Sequence, residues 1–327
     1  MRAMVLHAPH TELAMTELPD RLPGPGQIRV KVLACGVCRT DLHVLDGELP
    51  SPKSPIIPGH EIIGRIDALG DGVAGLAIGE RVGIPWLGHT CGVCRYCRDQ
   101  RENLCDDPLF TGYTRDGGFA TATIADARFA FPLGEEGDDV SLAPLLCAGL
   151  IGWRSLKMAG PGKKIGLYGL GAAGHIVAQV AAWQGRDVFA FTRPGDVATQ
   201  AFARRLGVTW AGGSDVQPSE PLDVTIIFAT DGALVPTALQ AVRKGGRVVR
   251  AGIHISDLPS MPYALLWGER ELACVANLTR EDGLEFLRLA PTIGIVTQTT
   301  RYTLEQANEA LSDLRAGRFE GAAVLVP

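Results

Sequence analysis

Two textures of apolar and polar positions divide this chain. Up to about residue 140, short runs such as Gln27-Ile-Arg-Val-Lys-Val-Leu-Ala and Glu61-Ile-Ile-Gly-Arg-Ile-Asp-Ala-Leu alternate and are rich in β-branched side chains. Period-two alternation predicts strands with one buried face. The glycines and prolines between them predict turns. From about residue 142, apolar strand candidates alternate with helix candidates. Ile165–Tyr168 precedes an alanine-rich helix over 172–184, and Val188–Phe191 precedes a helix over 198–206. Asp223–Ala229 precedes a helix over 234–242 and then the strand Gly246–Ala251. That order predicts a parallel sheet with helices on both faces, a doubly wound α/β fold. The tail carries one helix over 304–315 and a last strand, Ala323–Val326.

Composition narrows the function classes. At 327 residues, two domains are expected. Hydrophobic content of 46% and charged content of 20% are those of an ordinary globular protein. A net charge of -5 offers no basic footprint for nucleic acid. No apolar run reaches membrane-span length, and the N-terminus lacks the apolar core of a signal peptide. The cysteine usage fits a reducing compartment, so a cytoplasmic location is expected.

Half of the eight cysteines lie close together: Cys91, Cys94, Cys97 and Cys105, spaced Cys-x2-Cys-x2-Cys-x7-Cys. Four thiolates on short loops suit a closed tetrahedral zinc site, which leaves no position for substrate. Disulfides or idle thiols are the alternative, and the short spacings disfavour mutual disulfides. Gly169-Leu-Gly171-Ala-Ala-Gly174 follows a strand candidate and opens a helix candidate. That is the setting of a dinucleotide-binding turn. Gly169 serves the tight turn, Gly171 the approach of a pyrophosphate, and Gly174 the packing of helix on strand. At the end of the next strand stand Thr192 and Arg193, and the first carboxylate is Asp196. An NAD site usually puts a carboxylate at the strand end, so Thr192 and Arg193 favour a 2′-phosphate and NADP. A solvated Arg193 with weak selectivity is the alternative.

Other metal-ligating types are scattered, and spacing alone does not join Cys38, His60 and Cys147. Five motifs do so by their order: Cys38-Arg-Thr-Asp, Gly59-His-Glu-Ile-Ile-Gly64, the Cys91–Cys105 block, Leu146-Cys-Ala-Gly149 and the glycine turn. They follow one another as in the zinc-dependent alcohol dehydrogenases of the medium-chain dehydrogenase/reductase superfamily. The chain resembles that family over nearly its whole length.

The resemblance implies a GroES-like, mainly-β catalytic domain at 1–142 plus 283–327. A Rossmann dinucleotide-binding domain would be inserted at 143–282, with substrate in the cleft between them. It implies two zinc ions. Cys38, His60 and Cys147 would hold the catalytic one, with Glu61 beside it, and Cys91, Cys94, Cys97 and Cys105 the structural one. It implies reversible hydride transfer between an alcohol and NAD(P), through an alkoxide on zinc. Thr40 and His43 would be the relay that carries the proton away by way of the nicotinamide ribose. Asp41 would orient His60, Arg39 and Asn277 would contact the cofactor, and Trp86 and Leu87 would line the substrate cleft. A homodimer or homotetramer is expected. A formaldehyde or polyol dehydrogenase of the same superfamily and a non-catalytic NAD(P)-binding sensor are the alternatives. Polyol enzymes often carry Glu in place of Cys147.

Overall fold

The alternation that begins at Gln27 becomes the strand Gln27–Val37, buried at every second residue along its first half. A computed structural model describes residues 1–50, 52–253 and 255–327. Two compact units divide them. One comprises Met1–Cys147, Asn277–Leu287 and Thr297–Pro327, the other Ala148–Ala276 and Arg288–Val296.

The first unit is built on a seven-stranded sheet. Its path runs Thr299–Thr303, Ala322–Val326, Gln27–Val37, Glu61–Leu69, Arg81–Ile84 and Phe131–Pro132, and Ala122–Asp126 pairs with the first half of Gln27–Val37. All its pairings are antiparallel except Thr299–Thr303 with Ala322–Val326. Ile28, Val30, Ile62, Ile66, Val82 and Phe119 fill its core.

The second unit holds a six-stranded, wholly parallel sheet. Its order is Trp210–Gly213, Asp187–Thr192, Lys164–Tyr168, Leu222–Ile227, Val242–Arg250, Glu271–Cys274. The chain starts in the middle, winds one way and then the other, so the carboxyl end of Lys164–Tyr168 lies at the switch point where such sheets take ligands.

The helix Arg280–Ile293 escaped the sequence reading because it contains two residues that weaken helices, Gly283 and Pro291. Gly283 is there because a Cβ would collide with the Phe131 ring. No helix among the described residues is long and apolar enough to cross a membrane.

Candidate active site

One helical turn sets most of the chemistry of the first unit. Cys38 has extended backbone (φ -123°, ψ 174°) and caps the helix Arg39–Leu45. Its Sγ accepts from the Thr40 amide at 3.3 Å, and the Asp41 carboxylate accepts from the Cys38 amide at 2.9 Å. This is a reciprocal capping box with a thiol in place of a hydroxyl. Asp41 Oδ1 also accepts from the Gly59 amide at 3.1 Å and lies 3.2 Å from His60 Nδ1. Gly59, at φ +93°, turns the chain into His60, and a Cβ there would collide with Phe119.

With Nδ1 held by Asp41, His60 presents Nε2 to Cys38 Sγ at 3.1 Å. Cys147, at the end of the short turn Ala143–Leu146, brings its Sγ to 4.0 Å from that of Cys38. One ligand atom each from Cys38, His60, Glu61 and Cys147 lies within 4.8 Å of the others. All eight cysteines are free thiols.

Burial and mutual charge set the protonation of this cluster. The Cys38 thiol is held well below its usual range because it accepts from Cys147, His60 and Thr40, against the opposing effect of burial. The Cys147 thiol goes the other way, as the donor to Cys38 and by burial. Burial alone would lower the His60 pKa, but the Cys38 and Asp41 charges outweigh it and raise it. Glu61 is pushed well up by burial and by the nearby Cys38 charge. Its Oε2 is buried without a hydrogen-bond partner. Two thiols, an imidazole and an unsatisfied carboxylate in one pocket are the donor set that zinc takes. The residues therefore fit the metal.

Aromatic rings wall the site. Trp86 stacks on Phe110 at 5.2 Å and on Tyr113 at 5.7 Å, and meets the His60 ring edge-on at 4.9 Å. Phe110 and Tyr113 escaped the sequence reading, since only the fold brings them to Trp86. Leu87, next to Trp86 in the chain, begins the short strand Leu87–His89. Like His60, it has no exposed surface.

Thr40 is half-buried and hydrogen-bonds to the Cys38 thiol. His43, one turn on, is 8% exposed and its Nδ1 lies 2.5 Å from Glu48 Oε2. Glu48 is exposed and, like Phe110 and Tyr113, is a residue that spacing did not reveal. Arg39 is exposed at the helix start and makes no hydrogen bond to a described residue through its guanidinium.

The four remaining cysteines close on one another. Cys91 Sγ lies 3.5 Å from Cys105 Sγ and 4.0 Å from Cys97 Sγ, and Cys94 Sγ lies 4.0 Å from Cys105 Sγ. Backbone amides of Cys91 and Asp107 point at Cys105 Sγ, and that of Cys94 at Cys91 Sγ. Amides of Asp106 and Cys97 hold the Cys94 thiol down at about 6, whereas burial pushes Cys105 up to about 12. Among the described residues nothing but thiols enters this cluster, so it fits a closed metal site.

In the second unit, Gly169 adopts φ +93° after Lys164–Tyr168, and Gly171 caps the helix Ala172–Trp183. No side chain caps that helix, and a Cβ on Gly171 would meet nothing. A Cβ on Gly174 would overlap the Gly169 carbonyl. A bare, exposed backbone in front of uncapped amides fits a pyrophosphate.

Thr192, at the end of Asp187–Thr192, is buried, and its hydroxyl is spent on the Arg193 and Gly212 carbonyls at 3.1 and 3.3 Å. The Arg193 guanidinium is exposed and makes no hydrogen bond to a described residue. Asp196 is occupied as the cap of the helix Val197–Arg205, accepting from Thr199 N and Oγ1 at 2.9 and 2.8 Å. In the first unit, Asn277 takes φ +56° and buries an unpartnered Nδ2.

Residues 24–135 match the GroES-like domain of alcohol dehydrogenases. A protein of Mycobacterium tuberculosis named "Probable alcohol dehydrogenase AdhA" is 46% identical over 96% of this chain and 92% of its own. The chain belongs to the zinc-dependent alcohol dehydrogenase family. An alcohol dehydrogenase of a Moraxella species is 35% identical over 99% of both chains. The cobalt- and zinc-bound alcohol dehydrogenase of Pyrobaculum aerophilum superposes with a TM-score of 0.91 at 25% identity, over 100% of this chain and 99% of that one. In this alcohol dehydrogenase the GroES-like match spans Cys38, His60, Glu61 and all four cysteines of the second cluster, and Cys147 lies beyond it.

Proposed function

We propose that this alcohol dehydrogenase interconverts a small hydrophobic alcohol and its aldehyde or ketone, with NADP(H) as redox partner and two zinc ions per chain. The observation that carries this is the grouping of Cys38, His60 and Cys147 with Glu61 behind them. These three hold the catalytic ion, and the four-cysteine cluster holds the structural one. Zinc at the first site supplies Lewis acidity that favours loss of the alcohol proton. The dinucleotide supplies the hydride chemistry.

The chain's own residues do the rest. Asp41 keeps His60 in the tautomer whose Nε2 is a lone-pair donor. Thr40 takes the substrate proton, and His43, steered by Glu48, passes it towards solvent. Trp86, Phe110 and Tyr113 exclude water and favour apolar substrates. Gly169, Gly171 and Gly174 seat the pyrophosphate, and Asn277 and Arg39 make further cofactor contacts. NADP is supported by the unpaired Arg193 and by Asp196, whose carboxylate is committed to its helix cap and so is lost to a ribose 2′-hydroxyl.

On this reading the catalytic domain is 1–142 plus 283–327, and 143–282 binds the dinucleotide, a division supported by the parallel sheet lying within 164–274. A homodimer or homotetramer is supported by Tyr263 and Trp267, 70% and 68% exposed, close to the open edge strand Glu271–Cys274. Free thiols throughout support a cytoplasmic setting.

Cofactor oxidation with benzaldehyde, comparing NADPH and NADH, tests the whole. Wild-type protein is expected to turn over, faster with NADPH, and Cys147→Ala to be folded and inactive. Near-wild-type turnover by Cys147→Ala would remove the metal-site assignment, and a preference for NADH the role of Arg193.

A further inference from the structure

Arg250 is the last residue of the strand Val242–Arg250, in the interior of the parallel sheet between Leu222–Ile227 and Glu271–Cys274. It is 5% exposed. Its Nη1 donates to the Ala229 carbonyl. Its Nε and Nη2 are buried and have no partner, and it pairs with no described carboxylate. Burial lowers the pKa of the guanidinium, with Asp231 and Cys274 opposing only through space. A guanidinium shut away with two donating nitrogens unmatched is costly, and such groups are retained where a ligand completes them.

The position of this cation indicates which ligand. Ala229, its one acceptor, is the residue against which Gly169 packs: a Cβ on Gly169 would lie 3.0 Å from Ala229 N. Gly169 opens the turn read above as the pyrophosphate seat. The guanidinium is thus one residue removed from that turn, at the carboxyl edge of the sheet. Gly252 and Ile253, just beyond it, are exposed, so the strand end opens to solvent there.

We infer that Arg250 is a further dinucleotide-binding residue, whose Nε and Nη2 donate to phosphate oxygens of the bound cofactor. The planar fork of arginine suits two phosphate oxygens at once. The inference rests on the dinucleotide reading of the glycine turn.

The test is binding to the full-length protein, read by quenching of tryptophan fluorescence, for wild type, Arg250→Met and Arg250→Lys. NADPH and ADP-ribose are the probes, and thermal melts without ligand accompany them. Arg250→Met is expected to raise the Kd of both probes about tenfold or more. Arg250→Lys, which keeps the charge and loses the fork, should fall between. The ligand-free Tm of Arg250→Met should be unchanged or higher, because an unmatched buried cation is gone.

An unchanged Kd in Arg250→Met overturns the inference, as does a loss confined to NADPH, since ADP-ribose retains the pyrophosphate. If Arg250→Met does not fold, Arg250→Lys decides by the same Kd comparison. Failure of the wild type to bind either NADPH or NADH would instead remove the dinucleotide reading itself.

Discussion

Gly36 stands opposite Glu61 across an antiparallel pair, and a Cβ on Gly36 would overlap the Glu61 carboxylate. Glycine in a central strand is normally a weakness. Here it opens the space in which a buried, unsatisfied carboxylate faces Cys38, His60 and Cys147. Gly36→Ala is expected to cost about 1–3 kcal/mol by overpacking. It should also lower the metal content of the first site. Denaturant melts and metal analysis of the purified variant check both, and an alanine variant with wild-type stability would mean that Glu61 moves aside freely.

Asp41 organises three groups at once: the Cys38 amide, the Gly59 amide and the His60 ring. Asp41→Asn keeps the size and loses the charge. It is expected to weaken metal binding at the first site about 10- to 100-fold. Chelator competition measures this, with the four-cysteine site as an internal control.

The four-cysteine cluster should contribute to folding. Cys97→Ser is expected to lower the melting temperature, because binding energy at a closed metal site is folding energy. Cys147→Ala should leave it nearly unchanged. Calorimetry of the two variants side by side distinguishes the two clusters, and equal melting temperatures would contradict their separate roles.

Asp126 offers a pH signature. Burial would raise its pKa, but Arg128 and His89 hold it at about 2. An unfolded aspartate titrates near 4. A depressed folded pKa means stabilisation that is complete above about pH 4 and is lost as the pH falls towards 2. Asp126→Asn should therefore be less stable than wild type at neutral pH, with the difference shrinking below about pH 4. Denaturant melts across that range test it, and a pH-independent difference would contradict it.

Much of this was present in the one-dimensional pattern. The alternation at Gln27–Leu33 and the strand–helix alternation after residue 142 determine which faces must be buried, and burial selects the sheet types. The thiol spacing Cys91–Cys105 and the Gly169–Gly174 turn are local motifs, so their chemistry is carried by neighbours in the chain. Tertiary structure alone decided the rest. Cys38 and Cys147 are far apart in sequence, and only sheet pairing and the Ala143–Leu146 turn bring their sulfurs to 4.0 Å. Phe110 and Tyr113 become a wall only by stacking on Trp86. Arg250 falls within the strand expected at Gly246–Ala251, but only the packed sheet shows that its Nε and Nη2 are buried without a partner. Local chemistry follows from adjacent residues, whereas contacts between distant ones depend on how the buried faces pack.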